Sequence, residues 1–348
     1  MDTNMGSLEL FDLSQLNYKK RQHYVSKFYL KLWLAGERIF VKRSVGEVFS
    51  VYPKTTADDV AVENYFYEIE MDDVVWDMLD YTYSEKAKKS PLIKKILREL
   101  LFLKLADDTI NKGVGIVNDH KVLRDNAKEI LKHMKKHHLE DAYEEIETAV
   151  STEINAFSKS QGSTVFVPPT AETFKNILVF YSFQLFRTKG RITLVEQKIS
   201  QLLLERGDEK FILTPVQKQS VLKCMLYIQA YEFCLQLEKA GCSMVISKNH
   251  TNLNYLTSDC PAMYFDETVN QPGLKAYGAM PLTPRLMVQI SVPDISRKTG
   301  TIGLQDVYDI KIVQMTNKII EKESHELLFA KTMKDFELSE IAVDTLKV

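Results

Sequence analysis

The stretch from Arg21 to Leu30, RQHYVSKFYL, packs one histidine, two cations and three aromatic residues into ten positions. Tyr24, Phe28 and Leu32 fall at i, i+4 and i+8, and Val25 and Tyr29 fill the neighbouring row, which is the spacing of an apolar helical stripe. His23 and Lys27, also i and i+4, then share one edge of a short helix. Two readings stay open: an imidazole facing a pocket, or a first helix docked on the core with His23 hydrogen-bonded to backbone.

Charge is segregated around this stretch. From Ser14 to Lys54 there are nine Lys or Arg against two acids, and from Asp58 to Asp80 there are nine acids and no Lys or Arg. Either the two segments neutralise each other, or the first forms a basic face interleaved with Tyr18, Tyr24, Tyr29, Trp33 and Phe40 that contacts phosphates and stacks bases. The whole chain carries a formal charge of −2, which argues against a general polyanion binder. Nucleic acid or a nucleotide, bound through the basic N-terminal segment, is the partner this pattern points to.

Further on, residues 38–42 and 47–52 alternate about a turn at Val45-Gly46, a hairpin pattern. From Met71 to Ala106 the period becomes helical, with Ser90-Pro91 placed to start a second helix carrying Leu92, Ile96, Leu100 and Leu103. Residues 118–157 are charged and amphipathic. The stretch SKSQGSTVFVPP, 158–169, reads as a linker or lid. Within the charged helix, His133, His137 and Asp141 stand at i, i+4 and i+8, but the lysines around them point to a solvated face and no metal is expected.

The helix expected at about Ala171–Arg187 places Gln184 in the middle of its apolar face, with Arg187 at its end. A buried amide and guanidinium need partners, so they form either a polar core network or the lining of an anion pocket. Thr214-Pro215-Val216-Gln217 supplies an N-cap, a first-turn proline and a capping-box glutamine, and Gly241 ends that helix. Beyond it the period changes to two. Ser243–Ser247 reads as a strand, and Tyr255–Pro261 leaves a strand at Asp259, which makes a turn or projects into a cleft. Strands are expected at Arg285–Val292 and Tyr308–Gln314, and a final helix at about Thr316–Leu328.

Composition is that of a globular chain, with 45% hydrophobic and 26% charged residues. Cys224, Cys234, Cys242 and Cys260 lack metal spacing, no signal-peptide pattern opens the sequence, and no apolar run approaches the ~20 residues that span a bilayer. A cytoplasmic protein with reduced thiols, no membrane contact and no cofactor is the expectation.

The pieces QHYVSKFYL (22–30), QLFRT (184–188), NLNYLTSDCP (252–261) and PLTPRL (281–286) together resemble the domain of unknown function 4238 family, a largely bacterial group pairing HYV-x-x-FYL with TSD-x-P. The resemblance covers most of the chain and implies homology without an assigned activity. Two positions depart from the pattern: Ser26 stands where the family usually has proline, and Cys260 where it usually has asparagine.

The expected fold is α+β: one domain over residues 1–348, with a mainly helical middle packed on a mainly antiparallel sheet built from the N-terminal hairpin and the C-terminal strands. A helical subdomain or insertion is expected at about 107–169. Such a fold brings His23 toward Asp259, with Arg187 and Gln184 supplied by the intervening helix. The expected chemistry is cleavage of a phosphodiester or nucleotide, as a nuclease or hydrolase in phage defence. In it His23 is the general acid or base, Asp259 orients it and Arg187 holds the phosphate, with Gln184, Thr257, Ser258, Asn252 and Lys27 as ligand-binding groups. The alternative is a non-catalytic binding or scaffolding protein with an anion pocket.

Overall fold

The computed structural model describes residues 13–45, 48–54, 56–111, 121–159, 170–206, 213–266, 274–293 and 300–340. The first part holds β1 (Arg21–His23), α1 (Lys27–Lys31), β2 (Ile39–Val45), β3 (Val48–Lys54) and β4 (Val62–Asn64). The middle is helical: α2 (Asp73–Lys89), α3 (Pro91–Asn111), α4 (Lys121–Lys159), α5 (Ala171–Phe186), α6 (Lys189–Arg206) and α7 (Pro215–Lys239). The last part holds β5 (Ser243–Asn249), β6 (Thr257–Ser258), β7 (Met263–Asp266), β8 (Leu274–Thr283), β9 (Leu286–Pro293), β10 (Ile302–Val307), α8 (Ile310–Glu323), β11 (Leu327–Ala330) and α9 (Met333–Glu340).

Helix ends follow local chemistry. Asp72 accepts from Val75 N to start α2, and Thr170 with Thr173 closes a capping box on α5. Thr214 and Gln217 do the same for α7. That helix stops at Gly241, whose φ of +79° suits glycine, with Cys242 N bonding Leu237 O and Gly241 N bonding Glu238 O. The hairpin strands pair antiparallel with Val45 opposite Val48. The expected turn residue Gly46 and residues 160–169 of the linker expected at 158–169 lie outside the described residues, and Ser158 and Lys159 end α4.

The α+β class holds, with the strands divided among more than one sheet. A five-stranded sheet runs β10-β5-β9-β8-β7, antiparallel except for the parallel pair β10-β5. The hairpin belongs to a four-stranded sheet, β3-β2-β11-β6, and β1 pairs with β4 in a two-stranded ribbon. Helices α5 and α7 bury Phe180, Tyr181, Phe183 and Tyr227 in the larger core, and Phe233 of α7 meets Tyr264 of β7 edge to face at 4.7 Å. A smaller core gathers Leu253, Tyr255, Val313, Ile320, Leu328 and Phe336 under α8 and α9. No helix among the described residues is long and apolar enough to cross a membrane.

Three expected elements are corrected. The short helix expected to carry His23 and the stripe Tyr24, Phe28 and Leu32 begins only at Lys27, because Gln22 pairs with Glu63 across the β1–β4 ribbon and Tyr24 N bonds Ala61 O. The residues 308–314 are not a strand: Asp309 caps Lys311 N and α8 buries Val313, Asn317 and Ile320 at i, i+4 and i+7. The last stretch of the expected final helix is instead β11, flanked by β2 and β6.

Gly278 of β8 marks where the sheet meets α5. A methyl group there would lie 2.9 Å from Tyr181 Cζ and closer still to its hydroxyl, which donates to Met263 O at 2.6 Å. Gly278→Ala is therefore expected to lower stability in urea denaturation by about 2 kcal/mol. Gly303→Ala, where the nearest contact would be 3.6 Å, is expected to stay within about 0.5 kcal/mol of the parent.

Candidate functional site

Three segments meet at a cleft of about 490 Å³: residues 19–27 on one side, the turn Ala57–Asp59 beside them, and α4 with the C-terminal end of α5 opposite. Gln22 fixes the first segment, since its buried side chain donates to Lys136 O and accepts from Tyr67 N, both at 2.8 Å. This tie explains why a short strand, and not a helix, carries His23.

Arg187, at the end of α5, is 4% exposed and forms part of the cleft wall. Its Nε donates to Tyr67 Oη at 2.8 Å, Nη1 to Glu147 Oε1 at 2.5 Å and Nη2 to His23 O at 2.7 Å. Its guanidinium lies 4.5 Å from the Tyr143 ring centroid. Burial opposes the charge, but Tyr67, Glu147 and Glu140 outweigh it and hold the guanidinium protonated.

His23 lines the same cleft. Its Nε2 sits 3.1 Å from Ala57 O, and a carbonyl can only accept, so Nε2 carries the proton and Nδ1 the lone pair. Burial, aided by Lys27, pushes its pKa below the ordinary value, so the ring is neutral at pH 7.

Glu140 faces these groups from α4. Burial and the neighbouring Glu147 and Glu144 raise its pKa to about 7, against the opposing pull of Arg187. Its Oε2 is buried without a hydrogen-bond partner among the described residues. A carboxyl poised at neutral pH and a neutral imidazole lining one cleft have the character of an acid and a base. The rim is ionic: Lys19 pairs with Glu144, Lys27 with Asp58, and Arg21 with Asp59 at 3.0 Å.

Of the residues singled out from sequence, His23, Arg187 and Lys27 share this cleft. Asp259 does not line it. Its carboxylate accepts from His325 N, Glu326 N and Leu327 N at 2.9, 2.7 and 3.1 Å, so it fastens a loop, and Ala57 O orients His23 instead. Thr257 Oγ1 bonds Tyr29 Oη at 2.6 Å, and Ser258 Oγ accepts from Cys260 N. Asn252 is exposed. Gln184 is fully buried in α5, its amide without a protein partner among the described residues. His133 bonds Asn17 O, and the described residues hold no cluster of three metal-ligating side chains.

Sequence reasoning missed Glu140, Tyr143, Glu144 and Glu147. The sequence marks their helix as charged and amphipathic without placing its buried face, and Leu139, Tyr143 and Val150 are buried and Ile146 is partly so, at i, i+4, i+11 and i+7. The three glutamates each follow one of these apolar positions, which sets them on the margin of the buried stripe. That offset is the signal available in sequence.

The chain matches the family described as Protein of unknown function (DUF4238) over residues 21–334, nearly its whole length, and it belongs to that family. No curated protein and no solved structure matches it.

Two measurements follow from this geometry. A carboxyl whose pKa rises on folding binds its proton more tightly in the native state. Its contribution to stability is full below the ordinary value of 4.5 and is lost as pH rises through about 7. Across that window the stability of the parent relative to Glu140→Gln should fall by up to about 3 kcal/mol in denaturant titrations. Parallel pH profiles for the two proteins would contradict the assignment. Asp259→Ala, which strips three backbone N–H groups of their acceptor, is expected to cost about 3 kcal/mol by the same method.

Proposed function

We propose that this member of the family is an enzyme that cleaves a phosphodiester or nucleotide in the cleft between residues 19–27 and α4. One observation carries the reading: a carboxyl with a pKa of about 7, Glu140, shares a cleft with the neutral His23 and the buried cation Arg187. The volume suits a small ligand. The pairing of the basic segment with Asp58, Asp59 and Glu144 favours such a ligand over a polynucleotide.

In this reading His23 Nδ1 takes a proton from water as the water oxygen bonds to phosphorus. The bond from phosphorus to the leaving oxygen breaks, and that oxygen takes the proton of Glu140. Arg187 and the rim cations offset the charge on the phosphoryl oxygens. Solvent returns the proton from His23 to Glu140, so the net change is addition of one water.

A second reading, a non-catalytic anion pocket that also fastens the fold, is favoured by the three hydrogen bonds Arg187 already makes to protein. Turnover separates the two. Purified protein incubated with a panel of dinucleotides, nucleoside triphosphates and smaller phosphodiesters is expected to yield hydrolysis products of at least one by mass spectrometry. Glu140→Gln and His23→Ala should each lower the rate by about 100-fold or more while both variants remain fully folded at the assay temperature. Activity should rise with pH through the lowered pKa of His23, which must be neutral, and fall through about 7 as Glu140 loses its proton. Equal rates in parent and variants, or ligand binding without products, would support the second reading.

A further inference from the structure

The rim charges of the cleft come in matched pairs, and the matching restricts what can enter. Every rim cation belongs to residues 19–27, and every rim carboxylate belongs to the Ala57–Asp59 turn or to α4. These pairs are exposed: side-chain exposures are 33% and 59% for Lys19 and Glu144, and 42% and 48% for Lys27 and Asp58. Exposed pairs contribute little to stability, so partner exchange is inexpensive. The Arg187–Glu147 pair is different, at 3% and 18%, and stays closed as the floor.

Exchange has a consequence for ligand chemistry. An anion that draws Lys19 and Lys27 to itself leaves Glu144 and Asp58 without their cations and facing its own negative charge, a like-charge contact that opposes binding. A ligand that also carries a cation gives those carboxylates a shared partner, and the net charge of the cleft is unchanged. Resting on the phosphoester reading above, we infer that the substrate is zwitterionic, a phosphodiester of an amino alcohol whose phosphate replaces the carboxylates on Lys19 and Lys27 and whose ammonium replaces the lysines on Glu144 and Asp58.

Calorimetric titration of the full chain tests this with glycerophosphoethanolamine, its N-acetylated analogue, which keeps only the negative charge, and ethanolamine alone. The zwitterion is expected to bind at least about 10-fold tighter than either, a difference of about 1.4 kcal/mol. In Glu144→Gln/Asp58→Asn, which removes only exposed carboxylates, that preference should vanish and the N-acetylated diester should gain affinity, with melting unchanged. Co-sedimentation with phosphatidylethanolamine vesicles, lost in the same variant, would identify a lipid headgroup as the source, and binding of the soluble diester alone would identify a free metabolite. Equal or tighter binding of the N-acetylated form, or no binding of any probe, overturns the inference. Hydrolysis of nucleotides that depends on Glu140 would leave the phosphoester reading standing in that event, whereas absence of all turnover would remove both.

Discussion

A full positive charge almost sealed from water organises this protein. Arg187 persists at 4% exposure because α4 supplies Glu147, the segment after β4 supplies Tyr67, and β1 supplies the carbonyl of His23. Removing one partner of such a buried pair typically costs about 3–5 kcal/mol, because the other is left charged and unpaired. Three chain segments far apart in sequence are therefore obliged to meet at one guanidinium. The cleft is the space they leave on its solvent side, so the fold and the candidate site depend on the same bonds.

The pieces of sequence that carry the family resemblance are joined by similar ties. Tyr29 donates to Pro281 O and bonds Thr257 Oγ1, both at 2.6 Å, which links the FYL, TSD and PLTPRL segments at one hydroxyl. Trp33 Nε1 donates to Tyr255 O, and Asp259 holds the loop that leads into β11. A buried hydroxyl or carboxylate left without these partners costs free energy, so the segments constrain one another. Most of the motif fastens the framework; His23, Lys27 and Arg187 are its contributions to the cleft.

Much of the framework was legible because it is local. Capping boxes, the first-turn proline at Pro215, the glycine stop at Gly241 and the alternation of the hairpin each act within a few residues. What failed was decided at a distance. Tyr24, Val25 and Tyr29 have helical spacing and all are buried, but the backbone of Arg21–His23 finds its hydrogen bonds in β4. Leu327–Ala330 is a short apolar run that reads as the end of a helix until β2 and β6 are seen on either side. For the site, a lone histidine and an arginine at a helix end stood out in sequence, whereas Glu140 sits among charged neighbours and acquires its character only from burial beside Glu144, Glu147 and Arg187. Asp259 stood out equally, and its chemistry is spent on three backbone amides.

The cleft holds a carboxyl poised between its two protonation states at neutral pH, in the same lining as a neutral imidazole. Carbon-13 NMR of side-chain-carboxyl-labelled glutamate, with the Glu140 resonance assigned by its loss in Glu140→Gln, reads that state directly. Glu140 is expected to titrate at about 7. A Glu140 resonance that titrates near 4.5, the ordinary glutamate value, would contradict it, because Glu140 could then not give up a proton at neutral pH.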